Sequence, residues 1–407
     1  MKRLFCTLLS ALLLLSLLSG CQKKEASITL DSDYVILCAE ETGAVNQAAK
    51  SLQIALAQKW GLELELVNEA PAGKKTITVG VDEALSEGEY RTRIVDGNIA
   101  IEAQSAQVMT FAMRSIHQNW LSESSQPTLA ADGLENLSGA VDLANAPFLV
   151  LTQNIRYADD EGGNKVVDRA PRYNKLVTEY MPDLIYIQEE TFFWATIGEK
   201  FFEGIYGFSG TFSGGPETTK GSRNAIFYRL DRYEVLEEGI FWMSDTPDEP
   251  YTKLEASKGI RHCNWVLLKD NFTGRELLAV NVHLDTISNE VRAAQLDILY
   301  DRLGDKMEQY PTAFCGDFNA RPDSGVYATM AERMSDPHVT AAVKNSTVEY
   351  TYDDYGTAEN PGRLDYMFYN EFLTANVYEI KLDRYPDEKG SYISDHFGVT
   401  TEYSFAK

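Results

Sequence analysis

The stretch Thr312-Ala313-Phe314-Cys315-Gly316-Asp317-Phe318-Asn319 passes from apolar to polar residues within a short distance. A short apolar run that ends at such residues predicts a buried strand, with the polar side chains at its end. Strands that place polar side chains at their ends are the way in which open sheets build binding and catalytic sites. The stretch therefore predicts a buried strand that places Asp317 and Asn319 in a site.

The same arrangement recurs along the C-terminal two-thirds of the chain. The polar residues next to predicted strands are almost all Asn, Asp, Glu, Gln and His. They are Gln153-Asn154, Gln188-Glu189, His283-Leu284-Asp285, Leu364-Asp365-Tyr366 and Ser394-Asp395-His396. Their number and chemical similarity predict that several strand ends meet in one polar site.

These residue types point to chemistry with a hard cation. Carboxylate oxygens suit Mg²⁺ or Mn²⁺, and Ca²⁺ is also compatible with them. The chain has no Gly-x-Ser-x-Gly elbow and no Walker phosphate loop, two common signatures of other hydrolase and nucleotide-binding sites. A cation that faces Asp, Asn and His favours attack of water on phosphorus. In such a reaction a carboxylate takes the proton and a cationic His neutralises developing charge.

The ordered motifs resemble the endonuclease/exonuclease/phosphatase superfamily from about Phe148 to Tyr403, above all in Gly316–Asn319 and Ser394–His396. That superfamily includes deoxyribonucleases, inositol-phosphate phosphatases, sphingomyelinases and deadenylases. Stretches such as Arg261–Trp265 resemble a less characterised bacterial branch whose members are often exported. The resemblance implies an α/β (α+β) fold, a β-sandwich of two mixed sheets flanked by helices, with the site at one end. It also implies divalent-metal-dependent hydrolysis of a phosphoester bond.

The resemblance implies roles in metal binding and water activation for four residues. Glu189 is expected to be the main metal ligand, and Asp395 a further metal or hydrogen-bond ligand. Asp317 is expected to align or deprotonate the attacking water, and Asn319 to hold Asp317 in place. Whether one or two metal ions bind stays open.

The resemblance also implies a set of phosphate-binding residues. His396 is expected to contact the scissile phosphate while Asp365 holds its ring, and His283 and Asn154 are expected to bind phosphate oxygens. Arg156 stands where some abasic-site endonucleases of the superfamily have Asp. This difference weakens a second metal site there, whereas an Arg suits a phosphate.

Some residues near the motifs have a plain structural alternative. Glu190 adjoins Glu189 and is compatible with a charge at the start of a helix. Asp285 either orients the turn after His283 or contacts substrate. The aromatic residues of the segment 192–206 form either a substrate platform or part of the core.

The first residues predict an export signal. Lys2 and Arg3 precede the uncharged run Leu4–Leu18, which is short for a membrane span and typical of the apolar region of a signal peptide. Leu18-Ser19-Gly20-Cys21 resembles the lipobox of bacterial lipoproteins. The resemblance implies lipidation of Cys21 and anchoring at the outer face of a bacterial membrane. A plain secretory signal with an incidental cysteine is the alternative.

A chain of 407 residues predicts two domains. We expect a signal peptide over 1–20, a tether over 21–27 and a linker over 123–146. Alternating strand and helix patterns predict a small α+β accessory domain over 28–122, with a structural or docking role. The catalytic domain is expected over 147–407. Cys38, Cys263 and Cys315 are far apart and odd in number, which indicates buried thiols rather than disulfides.

The net charge of −24 disfavours non-specific nucleic-acid binding, because such binding normally needs a basic surface. Three substrate classes stay open: a lipid head group, a sugar phosphate or phosphodiester-linked glycan, and extracellular nucleic acid. A surface lipoprotein that binds ligands without catalysis is the alternative of a different class. We expect contact with the membrane through the N-terminal lipid and no stable protein partner.

Overall fold

The computed structural model describes residues 27–407. The predicted signal peptide, Cys21 and all of the tether except its last residue lie outside the described residues. Among residues 27–407, no helix is both long enough and apolar enough to cross a membrane.

The N-terminal part is a mixed sheet with two helices packed against it. Its elements are β1 (Ser27–Thr29), β2 (Tyr34–Leu37), α1 (Gly43–Trp60), β3 (Leu66–Val67), β4 (Lys75–Val81), β5 (Glu89–Val95), β6 (Asn98–Ala103), α2 (Ala106–Ile116), β7 (Thr128–Ala130) and β8 (Gly139–Ala140). The sheet has the order β3-β2-β4-β6-β5-β8, and β1 pairs separately with β7. Helix α1 buries Ala48, Ala49, Leu52 and Leu56 in the core, and this helical spacing is what predicted it. A small accessory α+β fold is confirmed.

The segment predicted as a linker, 123–146, packs on the N-terminal sheet and contains regular structure. β7 pairs with β1, β8 pairs with β5, and Leu129 and Leu137 are buried in the N-terminal core. Strands of two or three residues leave no periodicity in a sequence, so composition alone indicated a connection. The structure corrects the interpretation of this segment as a bare connection, while the domain boundary at 147 stays a prediction.

The C-terminal part is a sandwich of two mixed sheets. Its elements are β9 (Phe148–Asn154), α3 (Val166–Tyr180), β10 (Leu184–Gln188), β11 (Glu190–Thr191), α4 (Phe192–Phe202), β12 (Tyr206–Ser209), β13 (Ser222–Arg223), β14 (Ile226–Arg229), β15 (Tyr233–Trp242), β16 (His262–Asp270), β17 (Glu276–His283), α5 (Asn289–Gln309), β18 (Thr312–Asp317), α6 (Gly325–Arg333), α7 (Pro337–Thr340), β19 (Val343–Lys344), β20 (Asp365–Tyr369), β21 (Leu373–Lys381) and β22 (Gly398–Phe405). One sheet has the order β12-β14-β10-β9-β22-β21-β19, the other the order β15-β16-β17-β18-β20. The predicted fold class is confirmed.

The central strands are apolar on both faces because each face meets a different core. Val150, Leu184 and Leu277 face the space between the two sheets. Their neighbours Leu151 and Ile185 face α3 and α4 on the outside of the larger sheet, and α5 and α6 cover the outside of the smaller sheet. Alternate side chains point to opposite faces of a strand, so two covered faces produce the continuous apolar runs in the sequence.

Strand directions bring the polar motifs to one edge of the sandwich. β9 is parallel to β10, and β17 is parallel to β18. β22 runs antiparallel to β9, and β20 runs antiparallel to β18. The ends of the first four strands and the starts of β20 and β22 therefore meet at that edge. Buried Gln188 joins the sheets there, since its Nε2 donates to Asn281 Oδ1 at 2.8 Å.

The N-terminal part contacts the outside of the larger sheet. Arg114 on α2 forms a buried ion pair of 2.6 Å with Asp183, and α1 packs on α3. A cleft of about 930 Å³ lies between the two parts, and none of the site residues predicted from the sequence is among the described residues that line it. The accessory part thus lies away from the edge that holds the polar motifs.

Candidate active site

Asp317 lies at the centre of the polar edge. It is the last residue of β18, it is 1% exposed, and its neighbours in the sheet register are His283 on β17 and Asp365 on β20. Asn154 Nδ2 donates to Asp317 Oδ2 at 3.0 Å, across the gap between the two sheets. Asp317 Oδ1 accepts the backbone N–H of Asn319 at 2.8 Å. The carboxylate of Asp317 is thus held from both sheets.

Glu189 follows β10 in a left-handed backbone conformation, with φ +65°. Asn154 Nδ2 donates to its Oε1 at 3.2 Å, and the backbone N–H of Tyr157 donates to its Oε2 at 2.8 Å. Arg156 and Asn319 at this edge also have positive φ, of 59° and 48°. Residues without glycine's freedom cost about 1–3 kcal/mol each in such backbone regions, and they cluster at functional sites.

The neighbouring Glu190 faces away from this edge. Its buried carboxylate forms an ion pair with Arg223 on β13. Glu190 is therefore already paired, whereas Glu189 is partly exposed at the polar edge. Of the two adjacent acids, Glu189 is the better candidate for a metal ligand.

Asp395 and Arg156 lie beside Glu189. Ser394 Oγ donates to Asp395 Oδ1 at 3.1 Å, and Arg156 Nε lies 3.7 Å from Asp395 Oδ2. Burial raises the pKa of Asp395, and the carboxylate of Glu189 raises it further. Arg156 itself donates to both carboxylate oxygens of Asp160, at 3.0 and 3.2 Å. A phosphate at Arg156 would therefore share the guanidinium with Asp160.

His396 is held by Asp365, as the sequence predicted. Its Nδ1 and Asp365 Oδ2 are 2.8 Å apart, and both residues are buried. Thr351 Oγ1 donates to the same carboxylate oxygen at 2.6 Å. The other ring nitrogen, Nε2, lies 3.9 Å from Asp317 Oδ2. Asp365 thus orients the ring so that Nε2 faces the central carboxylate.

The two site histidines have opposite charge preferences. Burial alone would lower the pKa of His396, but the carboxylate of Asp365 and its hydrogen bond outweigh burial and raise that pKa to about 10. Burial, together with Arg261 and His396, lowers the pKa of His283 well below its usual value. His283 Nε2 lies 3.6 Å from Asp317 Oδ2. At neutral pH, the central carboxylate therefore faces one imidazolium and one neutral imidazole.

Burial raises the pKa of Asp317 to about 7, and Asp365 raises it as well, whereas His396 and Asn154 lower it. A carboxylate of this kind accepts a proton more readily than one in water, which is the property of a general base.

The family model of the endonuclease/exonuclease/phosphatase family matches residues 151–396. The chain belongs to the endonuclease/exonuclease/phosphatase family. Members of this family are hydrolases that act on phosphoester bonds. The match begins and ends within the sandwich and includes every motif of the polar edge.

Solved structures from this family share the fold of the sandwich. A family protein from Bacteroides thetaiotaomicron is 24% identical, with a TM-score of 0.60 over 65% of this chain and 99% of its own. One from Bacteroides vulgatus is 25% identical, with a TM-score of 0.60 over 64% of this chain and 100% of its own. A mannosyl-6-phosphatase from Bacteroides thetaiotaomicron is 24% identical, with a TM-score of 0.59 over 63% and 100%. No curated protein matches the chain.

Enzymes of the endonuclease/exonuclease/phosphatase family depend on a divalent metal ion, and the oxygen atoms at the polar edge fit one. Asp395 Oδ2 accepts no hydrogen bond from any residue in 27–407, although its side chain is 8% exposed. Glu189 is partly exposed beside it. Two carboxylates with free coordination capacity are the ligands that hard divalent cations prefer.

A second set of possible ligands consists of Asp317, Asp365 and His396, whose ligand atoms lie within 4.8 Å of one another. Two features argue against a metal ion among these three residues. His396 Nδ1 is already bonded to Asp365, and the raised pKa of His396 favours the imidazolium, which has no lone pair for a metal. Glu189 and Asp395 are therefore the better candidate ligands.

Other motif residues of this family member hold the loops of the site. Asn319 Nδ2 donates to the carbonyl of Leu284 at 2.9 Å, which ties the ends of β17 and β18 together. Asp285 is fully buried and accepts the N–H groups of Gly259 and Ile287 at 2.9 Å each. Between the two alternatives for Asp285, the structure favours the one in which it orients the turn.

The aromatic segment after Glu190 divides between surface and core. Phe192 and Phe193 are 53% and 48% exposed, whereas Trp194, Phe202 and Tyr206 are buried. The two exposed rings remain available to a substrate, and the other three pack against α3 and β14.

Three residues near the catalytic motifs were not recognised as site residues from the sequence. Thr351 holds Asp365, the ring of Tyr352 packs 5.0 Å from the ring of His396, and Arg261 lies beside Asp285. Thr351 and Tyr352 lie in a loop without strand or helix periodicity, so the sequence contains no signal for them. Arg261 belongs to a stretch that was noted only for its similarity to the bacterial branch.

Proposed function

We propose that the protein is an exported, divalent-metal-dependent hydrolase that cleaves a phosphoester bond by attack of water on phosphorus. One observation supports this most directly. Asp317 lies between His283 and the His396–Asp365 pair, and Asn154 connects Asp317 to Glu189. A general base, a cationic group and a metal ligand are thus within reach of one phosphate group.

In this proposal each residue has a distinct task. Asp317 takes the proton of the attacking water, and the N–H of Asn319 keeps its carboxylate aligned. The imidazolium of His396 stabilises the charge that develops on phosphate oxygens, in a buried site where such stabilisation is strong. Neutral His283 donates a hydrogen bond to a remaining phosphate oxygen. Asn154 donates to another oxygen only in exchange for its hydrogen bond to Glu189 or Asp317, because both of its N–H groups are already used.

Glu189 and Asp395 would hold Mg²⁺ or Mn²⁺, with Ca²⁺ as a further possibility. A bound divalent ion there would polarise a phosphoryl oxygen and lower the pKa of a bound water.

The place of action is also part of the proposal. The lipobox-like Leu18-Ser19-Gly20-Cys21 supports anchoring at the outer face of a bacterial membrane through lipidated Cys21. The net charge of −24 argues against nucleic acid as the preferred substrate. One structure with the same fold is named a mannosyl-6-phosphatase, so we propose sugar phosphates as the first substrates to test.

A substrate panel tests the proposal. Purified protein with Mg²⁺ or Mn²⁺ is assayed on mannose 6-phosphate, inositol phosphates, sphingomyelin, bis-p-nitrophenyl phosphate, plasmid DNA and RNA. We expect phosphate or alcohol release from at least one compound, and loss of that activity with a chelator. Binding of a panel member without turnover, under conditions in which metal binds, would instead support the non-catalytic alternative.

A further inference from the structure

Arg261 occupies a fixed position at the polar edge. It immediately precedes β16, which pairs antiparallel with β17 so that Cys263 is opposite Val282. Continuing this register places Arg261 level with the residue that follows His283. The backbone carbonyl of Arg261 accepts the N–H of Met243 at 2.8 Å. Strand pairing and this bond thus fix Arg261 beside the site.

The guanidinium of Arg261 is mostly buried and yet makes no hydrogen bond to any residue in 27–407. Its side chain is 17% exposed, and within residues 27–407 its buried Nε has no partner. Asp285 Oδ2 lies 3.9 Å from Nε, which is beyond hydrogen-bond distance. Both carboxylate oxygens of Asp285 already accept backbone N–H groups. Buried N–H donors are normally hydrogen-bonded. A ligand that supplies an acceptor at this position would therefore be bound favourably.

Two other buried arginines of the sandwich, Arg232 and Arg169, have partners within the protein for all three side-chain nitrogens. Arg232 binds both carboxylate oxygens of Asp270, at 3.2 and 2.8 Å. Arg169 on α3 donates from Nε, Nη1 and Nη2 to backbone carbonyls. Arg292, close to the same loop, donates to the carbonyl of Asp285 and to Asn289, although its buried Nε has no partner within residues 27–407. Arg261 differs from all three, because none of its guanidinium nitrogens donates a hydrogen bond to any residue in 27–407.

The charges around Arg261 are those of the catalytic edge. Burial lowers the pKa of its guanidinium, and the carboxylates of Asp285, Asp317 and Glu189 oppose that effect. Arg261 in turn lowers the pKa of His283. The guanidinium is therefore within electrostatic reach of both the proposed base and the proposed metal ligand.

We propose that Arg261 binds the substrate phosphate directly and favours phosphomonoesters over phosphodiesters. This inference rests on the proposed phosphoesterase function. The planar guanidinium donates two parallel N–H groups to two non-bridging phosphate oxygens, a geometry that a fork of donors matches well.

The preference for a monoester follows from charge. A phosphomonoester has a charge of about −1.5 to −2 at neutral pH, whereas a diester has one negative charge. The attraction of a fixed cation grows in proportion to the charge of its partner. His396 and Arg261 together provide two buried cations at one phosphate, which suits the dianion better.

Three measurements on Arg261→Gln test this inference: the affinity for inorganic phosphate by calorimetry in Mg²⁺, and the kinetics on a monoester and on a diester. The variant loses the charged hydrogen bonds from Arg261 to phosphate, so we expect its phosphate affinity to fall about 10- to 100-fold. The kcat/KM should fall by a similar factor for the monoester and by less for the diester. Arg261→Lys keeps the charge but not the fork, so it should give an intermediate loss.

Arg302→Gln is the matched control, because it removes the same charge from an exposed ion pair with Asp248. Unchanged phosphate affinity in Arg261→Gln would overturn the inference, as would an equal loss for both ester classes. Calorimetry separates this result from failure of the proposed function, because it needs no turnover. If Arg261→Gln does not fold, Arg261→Lys decides: wild-type phosphate affinity in a folded Lys variant contradicts the proposal.

Discussion

His396 Nδ1 lies 2.8 Å from Asp365 Oδ2, in a buried hydrogen bond between the start of β20 and the residue that precedes Phe397 and β22. Asp365 begins β20 of the smaller sheet, whereas His396 lies two residues before β22 of the larger sheet. Their hydrogen bond therefore ties the smaller sheet to the segment that leads into the larger sheet. A carboxylate in this position fixes both the orientation of the ring and the nitrogen that carries the proton.

We predict that Asp365→Asn lowers kcat and moves the basic limb of the pH–rate profile to lower pH. The Asp365 carboxylate is the main reason that the pKa of His396 is raised to about 10. The charged ring is the active form, so activity is lost as pH rises through this pKa. Without the carboxylate, burial lowers the pKa, and the loss begins at lower pH. The pH profile of kcat with a small phosphate ester measures this shift.

Thr351→Val serves as a comparison for Asp365→Asn. Thr351 donates to the same carboxylate oxygen, so its removal should disturb the pair while leaving the charge of Asp365 in place. We expect a smaller shift of the same limb. A full-activity Asp365→Asn enzyme with an unshifted basic limb would contradict the role given to this pair.

Asp317→Asn tests the proposed general base. General-base assistance contributes about 10²–10⁴-fold in rate, so we expect turnover to fall by at least about 10²-fold. Stability should not fall with it. Burial raises the pKa of Asp317, so its ionised form destabilises the native state above the unfolded-state pKa, and Asn removes that buried charge. Near-wild-type turnover in a folded Asp317→Asn protein contradicts the assignment.

The sequence could predict the strands that form the site because each is short, apolar and followed by polar residues. Cys315–Asn319 and Asn281–Asp285 show this pattern, and both stretches lie at the polar edge. The Asp365–His396 contact could be predicted only through the resemblance, since the two residues are distant in sequence. Of the two adjacent acids, Glu190 is paired with Arg223 and Glu189 is partly exposed, while the role of Glu189 as a metal ligand stays a prediction.

The sequence could not predict the contacts that depend on loop conformation. Thr351 reaches Asp365 from a loop with no periodic pattern, and Asp353 in the same loop is buried. The 123–146 segment was interpreted as a connection because its strands are too short for periodicity. In each case tertiary packing, rather than local preference, determines the structure.

Cys21→Ala tests the lipid anchor. We expect wild-type protein in the membrane fraction of the producing bacterium, because the lipid on Cys21 would hold the protein at the bilayer. Cys21→Ala should be released or remain as an uncleaved precursor. Mass spectrometry of the mature N-terminus measures the modification directly. Soluble wild-type protein with an unmodified Cys21 would show that this sequence is a plain secretory signal.

Glu189→Gln tests the metal site. The amide keeps the shape of the side chain and its contact with Asn154 but loses the charge that binds a hard cation. We expect weaker Mg²⁺ or Mn²⁺ binding by calorimetry and a residual rate that requires much more metal. Asp395→Asn should have the same effect to a lesser degree, because Asp395 is expected to be the further ligand.

Two controls separate metal binding from structure in the Glu189→Gln experiment. Glu203→Gln removes an exposed carboxylate at the end of α4 and should leave metal affinity unchanged. Glu189 has a φ of +65°, and Gln tolerates this backbone no better than Glu, so the substitution adds no new backbone strain. A fall in metal affinity therefore reports the lost charge. Unchanged affinity in both Glu189→Gln and Asp395→Asn would mean that the ion binds elsewhere, and the set Asp317, Asp365 and His396 would then be the next to test.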